Sequence, residues 1–257
     1  MSIQEVEVTL EELQSLDQDQ ILSSCKSPVY YELESAFGSI KGSNAAKLLS
    51  ATCSMHLKPE NPKAPFSPKF IMQDRRGLIA NDFSKESLNA LSQFCHSVTI
   101  PELQARLADI SWVTKVGSVE HAYIAIEAYL ESAKQLLAVG ESWVYPAERI
   151  ERALRLSCMF RRDTQRPDLF EKLAGFIKSE IDSKKLDDSP FYALRLLKLS
   201  HECGVGDDDW ILNTAEEIAQ TCFELGDTRT AINGWECALN SANSTRNKSK
   251  QQDIWRE

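Results

Sequence analysis

Residues Glu224–Asn240 read ELGDTRTAINGWECALN. Gly226 stands between two stretches of helix-forming residues, where a chain leaving one helix can pass through left-handed backbone without steric cost. Ile218 and Ala219 precede it on the first stretch, and Ala231, Trp235 and Ala238 follow on the second. Small side chains at helical spacing let two antiparallel helices approach, and a large one fills the gap they leave. The stretch therefore reads as a helical hairpin, which sets the expectation for what surrounds it.

Moving outward, helix formers (Ala, Leu, Glu, Gln, Lys, Arg) dominate the 257 residues, and strand signals are scarce. Helices are predicted at about 168–182, 189–203, 208–225, 228–242 and from 245 onward. Upstream, Pro146 opens PAERIERALRLSCMFRR, where Ile150, Ala153, Leu154 and Cys158 share a side. SVEHAYIAIEAYLESAKQLLAV is apolar on more than one side, as a helix buried between neighbours would be, and Gly140 ends it. Pro101 suits the first turn of PELQARLADISWVTK, and Ser84 caps the stretch before it. Near the start, Pro28 falls in the first turn of SPVYYELESAFGSI, and Ser43 or Asn44 caps AAKLLSATCSMHL. Thr9 begins a capping box with Glu12. The exception is KPENPKAPFSPKF, where Pro59, Pro62, Pro65 and Pro68 exclude a continuous helix and read as a surface excursion.

The order of small and large residues around Gly226 resembles the tetratricopeptide pattern. It departs at Cys222, where Tyr is usual, and at Asn243, where the closing proline is missing. One repeat length upstream the pattern does not recur, because Leu197 and His201 stand in place of Ala and an aromatic. A second resemblance lies in PELQARLADISWVTK, HAYIAIEAYLESAKQL and ERIERALRLSCMF, over residues 84–162. These look like the N-terminal helical region of a large bacterial family. Its full-length members are similar in carrying a following domain with an Arg-Asn-x-x-x-His motif of the HEPN ribonuclease kind. Arg246 and Asn247 begin such a motif here, but Gln251 stands where the His belongs. The resemblance thus implies the helical part of a longer protein, or a member without the catalytic part. A full-length relative is expected to be a ribonuclease, with a role in bacterial defence or stress response.

Charge and chemistry narrow the function classes. The net charge of −9 disfavours long-range attraction to nucleic acid, although a local basic face remains an option. One such face is proposed by Arg149, Arg152, Arg155 and Arg162, which advance along one helix. They could contact phosphate or an acidic partner. The competing reading is a solvated face with intrahelical Glu–Arg pairs. Cys53 with His56, Cys95 with His96, and His201 with Cys203 are the only Cys–His neighbours, and none has the paired spacing of a metal knuckle. Asp207–Asp209 read as the cap of the following helix. Trp112, Trp143, Trp210 and Trp235 read as core anchors.

The expected fold is all-α, an irregular antiparallel helical-hairpin array of tetratricopeptide-like solenoid type. The expected domains are an N-terminal helical segment 1–57, a Pro-rich excursion 58–83 and a helical-repeat-like domain 84–257. The expected function is a non-catalytic scaffold for protein–protein interaction or self-association. Its alternative is a nucleic-acid-binding module using Arg149–Arg166. Repeat packing is assigned to Ala219, Gly226, Ala231, Trp235 and Ala238. No cofactor, metal or catalytic residue is expected. Seven scattered Cys and an acidic N-terminus point to reduced thiols in a cytoplasmic protein, and no apolar run is long enough for a membrane span.

Overall fold

A computed structural model describes residues 7–59, 70–73, 83–160, 166–184 and 190–244. Among these the chain is an all-α array of twelve helices with one short antiparallel strand pair, divided into two units, Met1–Leu156 and Ser157–Glu257. This boundary differs from the expected one. Residues 1–57 are not a separate segment, because their helices pack on those that follow residue 83.

In the first unit, α1 (Leu10–Gln14) starts at the capping box read from the sequence. The Glu12 amide donates to Thr9 Oγ1 at 3.2 Å, and the Thr9 amide donates to Glu12 Oε2 at 2.8 Å. After α2 (Gln18–Ser23) comes α3 (Tyr30–Ser39). Pro28 lies just before α3 rather than in its first turn, and Val29 takes the N-cap position in extended backbone. Val29, Leu33 and Phe37 are buried on one face. Ser43 caps α4 (Asn44–Cys53) through the Ala46 amide at 3.1 Å. The chain then forms β1 (His56–Pro59), paired antiparallel with β2 (Phe70–Gln73) so that His56 faces Gln73 and Pro59 faces Phe70. The Pro-rich excursion therefore begins and ends on a strand ribbon. Pro62, Pro65 and Pro68 lie outside the described residues.

Four helices complete this unit's core. Ser84 caps α5 (Lys85–Phe94), and Pro101 is the first residue of α6 (Pro101–Val113). The long α7 (Val119–Ala138) is buried on several sides by Ala122, Ala125, Ile126, Tyr129, Leu130, Ala133 and Leu136. It stops at Gly140, whose φ of +76° is costly for any residue with a Cβ; the Glu141 amide then reaches back to the Leu136 carbonyl at 3.0 Å. Last comes α8 (Val144–Phe160), which starts two residues before Pro146.

The second unit holds α9 (Pro167–Lys184), α10 (Pro190–Cys203), α11 (Asp208–Glu224) and α12 (Thr228–Ser244). The acidic run caps α11 as expected: Asp207 Oδ1 accepts from the Asp209 and Trp210 amides at 2.8 and 3.1 Å. Gly226, at φ +83°, turns the chain between α11 and α12, and the Asp227 amide closes the turn on the Cys222 carbonyl at 2.8 Å. Asp227 then caps α12 by accepting from the Thr230 amide at 3.1 Å. The helix expected from residue 245 lies outside the described residues.

Candidate functional site

Three helices of the first unit build a buried ion-pair network. Glu102 sits in the first turn of α6, where the helix dipole favours a carboxylate, and is fully buried. Its oxygens accept from Arg106 Nε at 2.7 Å, Arg149 Nη2 at 2.7 Å, Arg149 Nε at 2.9 Å and Ser132 Oγ at 2.7 Å. Burial alone would raise its pKa, but the Arg149 and Arg106 guanidiniums overcome that and hold it down to about 2. Arg106 also donates to the Met55 carbonyl. Two turns along α6, Asp109 accepts both Nε and Nη2 of Arg152, the Nε contact at 2.7 Å, and the Tyr129 hydroxyl at 3.0 Å. Burial, then the Asp109 carboxylate, push the Tyr129 phenol far above its ordinary value, so it stays protonated and donates. Arg155 pairs with Glu151 on its own helix at 3.0 Å.

These contacts correct the basic face expected of α8. Arg149, Arg152 and Arg155 are exposed by only 1%, 2% and 0%, so none presents its guanidinium to a phosphate at the surface. The solvated-face alternative fails for them too. The physical reason is that α6 carries Glu102, Arg106 and Asp109 at four- and three-residue spacing, a matching polar stripe inside the core. The intrahelical Arg155–Glu151 pair does follow the spacing rule applied to α8 alone. Arg162, the fourth candidate, lies outside the described residues.

At one end the network comes to the surface. Arg106 Cζ and Arg149 Cζ lie 5.0 and 5.3 Å from the centre of the Tyr30 ring. Tyr30 touches Tyr31 and Tyr145, and all three rings are half-buried. Arg149 Nη1 also donates to Glu148 at 3.0 Å, a carboxylate whose side chain is half exposed. Nothing in the sequence spacing joins Tyr30–Tyr31 to Tyr145; only the packing of α3 near the start of α8 does.

The Cys–His neighbours resolve into packing. Cys95, His96 and His121 place one ligand atom each within 4.8 Å of one another. Yet His121 Nδ1 accepts from the Ser118 amide at 3.2 Å, which leaves the proton on Nε2, facing Ser92 Oγ at 2.9 Å and the Ser92 carbonyl at 3.3 Å. Cys95 donates to that same carbonyl at 3.1 Å, and burial pushes its thiol up to about 11. Cys95 thus keeps its proton, and both side chains are already partnered, a poor start for metal binding. Cys53 is fully buried, with a thiol pushed up to about 12 by burial, and the His56 side chain lies outside the described atoms. His201 bonds Asp208 through Nδ1 at 2.9 Å while Cys203 is buried.

In the second unit, Ala219, Ala231 and Ala238 are fully buried along the α11–α12 contact. Trp235 is only half-buried, its ring 5.5 Å from that of Phe223. Trp112 and Trp210 are half-buried as well, leaving Trp143 as the one buried anchor of the four. The tightest approach falls on a residue the sequence reading passed over. A Cβ on Gly234 would come within 2.7 Å of Ala219 Cβ and 3.1 Å of the Ala215 carbonyl oxygen.

The family model described as Domain of unknown function (DUF7380) matches residues 3–169. The chain belongs to this family. Every residue of the ion-pair network, and the three tyrosines at its edge, falls within the DUF7380 match, whereas the α11–α12 hairpin lies beyond it. No curated protein and no solved structure matches the chain. Among the described residues of this DUF7380 member, no helix is long and apolar enough to cross a membrane.

Proposed function

We propose that this chain is a non-catalytic helical scaffold whose second unit docks a protein partner or a second copy of itself. The observation that carries the reading is the apolar surface of the α11–α12 hairpin. Phe223, Leu225 and Ile232 are exposed by 51%, 79% and 49%, and Phe223 leans on the half-buried Trp235. Phe223 and Trp235 together form a contiguous exposed aromatic surface, and contiguous apolar surface is the usual mark of an interaction site. The tetratricopeptide likeness of this hairpin agrees, since such units bind through the faces that stacking leaves open. The bacterial defence or stress setting, an attached ribonuclease-like domain and a cytoplasmic location belong to the same proposal and rest on the sequence resemblance and composition. The nucleic-acid alternative has lost Arg149, Arg152 and Arg155 to the interior, so it has no structural support in the described part of α8.

The test pairs sedimentation of the purified chain with affinity capture from its own cells, using wild type and the Leu225→Glu/Ile232→Glu double variant. A self-associated or partner-bound wild type, released by the double variant with α11–α12 hydrogen exchange unchanged, supports the scaffold. Equal association in both refutes this surface.

A further inference from the structure

The α11–α12 hairpin carries an apolar line that its own packing does not use. On α12, Ala231, Gly234 and Ala238 turn toward α11, where Gly234 meets Ala219. Cys237 and Asn240 turn toward α10, and there they line a pocket together with Lys198, His201 and Glu202. Ile232, Trp235 and Leu239 are left, at i, i+3 and i+7, the spacing of one continuous helix face. Ile232 is exposed, and Trp235 and Leu239 are half-buried. Phe223 of α11, itself exposed, joins this line, its ring 5.5 Å from that of Trp235 and inclined to it by 55°.

The charge beside this line has one sign. Residues 208–244 hold seven carboxylates and a single cation, Arg229. Glu224 follows Phe223, Asp227 lies in the turn and Glu236 follows Trp235, and all three are exposed. Gln220 Nε2 donates to Glu224 at 2.9 Å, which holds that carboxylate on the Phe223 helix. Resting on the docking role proposed above, we infer that the occupant is a basic amphipathic helix of a protein partner. Its apolar side lies along Ile232, Trp235 and Leu239, and its Lys or Arg side chains meet Glu224 and Glu236. A helix fits because a straight row of side chains on one helix is the ridge against which another packs. Basic flanks fit because opposite charge at the edge of an interface steers association and excludes wrong partners. A second copy fits less well. Across a two-fold axis the surface meets itself, so acid faces acid, with only Arg229 from each copy to offset it. The chain's own residues 245–257 hold Arg246, Lys248 and Lys250 and are the competing occupant.

The experiment titrates the full chain with a synthetic peptide of Leu and Lys, its Leu residues repeating at three- and four-residue spacing. The controls are the same peptide with Glu for Lys, and the same peptide with Ser for Leu. The expected result is binding of the Leu–Lys peptide alone, with hydrogen-exchange protection gained on α12. Reversing Glu224 and Glu236 to Lys should weaken it about two- to fivefold for each carboxylate and shift preference to the Leu–Glu peptide. Ile232→Glu should abolish it while exchange of the free hairpin stays unchanged. Equal binding of the Leu–Lys and Leu–Glu peptides, or indifference to the charge reversals, overturns the basic partner while leaving the docking surface standing. So does self-association through Ile232 by a chain that ignores the Leu–Lys peptide, which assigns the surface to a second copy. Binding that appears only in the Arg246→Glu/Lys248→Glu/Lys250→Glu variant assigns it to the chain's own segment and overturns the inference as well. If neither peptide binds and the chain neither self-associates nor captures a partner, the docking role falls with it.

Discussion

Replacing Glu102 by Gln keeps the side-chain shape and removes one charge from the centre of the network. Two guanidiniums, those of Arg106 and Arg149, then share an amide in place of a carboxylate, with the Gln NH2 turned toward other donors. Breaking a buried ion pair from one side leaves charge uncompensated and costs about 3–5 kcal/mol. An independent figure comes from proton linkage. Glu102 is held at about 2 against an ordinary 4.5, which corresponds to about 3 kcal/mol of differential stabilisation. Because the folded value lies below the unfolded one, this stabilisation is complete above pH 4.5 and drains away as the pH falls toward 2. Hydrogen exchange of α6, α7 and α8 peptides across a urea series reports this unit alone. At pH 7 the Glu102→Gln variant should open more easily by about 3 kcal/mol or more, and its disadvantage should shrink by pH 3. A loss below about 1 kcal/mol at pH 7, or an unchanged gap at pH 3, would refute the view that the ionised carboxylate holds these helices together.

Three further outcomes follow from local geometry. Gly234→Ala should destabilise α11–α12 in thermal or urea unfolding, because overpacking against the backbone of Ala215 and Ala219 costs about 1–3 kcal/mol and outweighs the roughly 1 kcal/mol gain in helix propensity. Gly175→Ala on α9, where an added Cβ meets nothing within 4 Å, should stabilise instead, and a loss there would mean that the propensity estimate misleads. Alkylation at pH 7 followed by peptide mass spectrometry should label Cys25, which is half exposed, well before Cys53 and Cys237, whose thiols burial pushes up to about 12. Early labelling of Cys53 would contradict its burial.

Features governed by neighbours in the chain were readable in advance. Thr9 with Glu12, Ser84 and Asp207 act as caps because a cap is decided within three residues. The all-α class and most helix limits followed from the same local signals. The strand ribbon was missed because the prolines dominate that stretch and Phe70–Gln73 gives only four residues of apolar signal. The arginine face was misread for a different reason: spacing along α8 tells which side chains share a face, not what that face meets. Their partners Glu102 and Asp109 lie 47 and 43 residues away. A usable signal existed in the regular spacing of Glu102, Arg106 and Asp109 on a helix otherwise rich in core residues. Gly234 escaped notice because a glycine in a helix reads as a defect until the facing helix is seen.

The Glu102 and Asp109 pairings also bear on how this family can change. A guanidinium on α8 meets its carboxylate only when α8 lies in one register on α6, since a slide of one turn moves each group about 5.4 Å from its partner. Apolar packing alone would tolerate such a slide far better. Replacing any one member strands another in the interior, so single substitutions pass through a weakened intermediate. Exchanges of the whole set for apolar residues, by contrast, can be neutral or better. The network should therefore be inherited as a block: its acids and arginines either persist together or disappear together as lineages diverge.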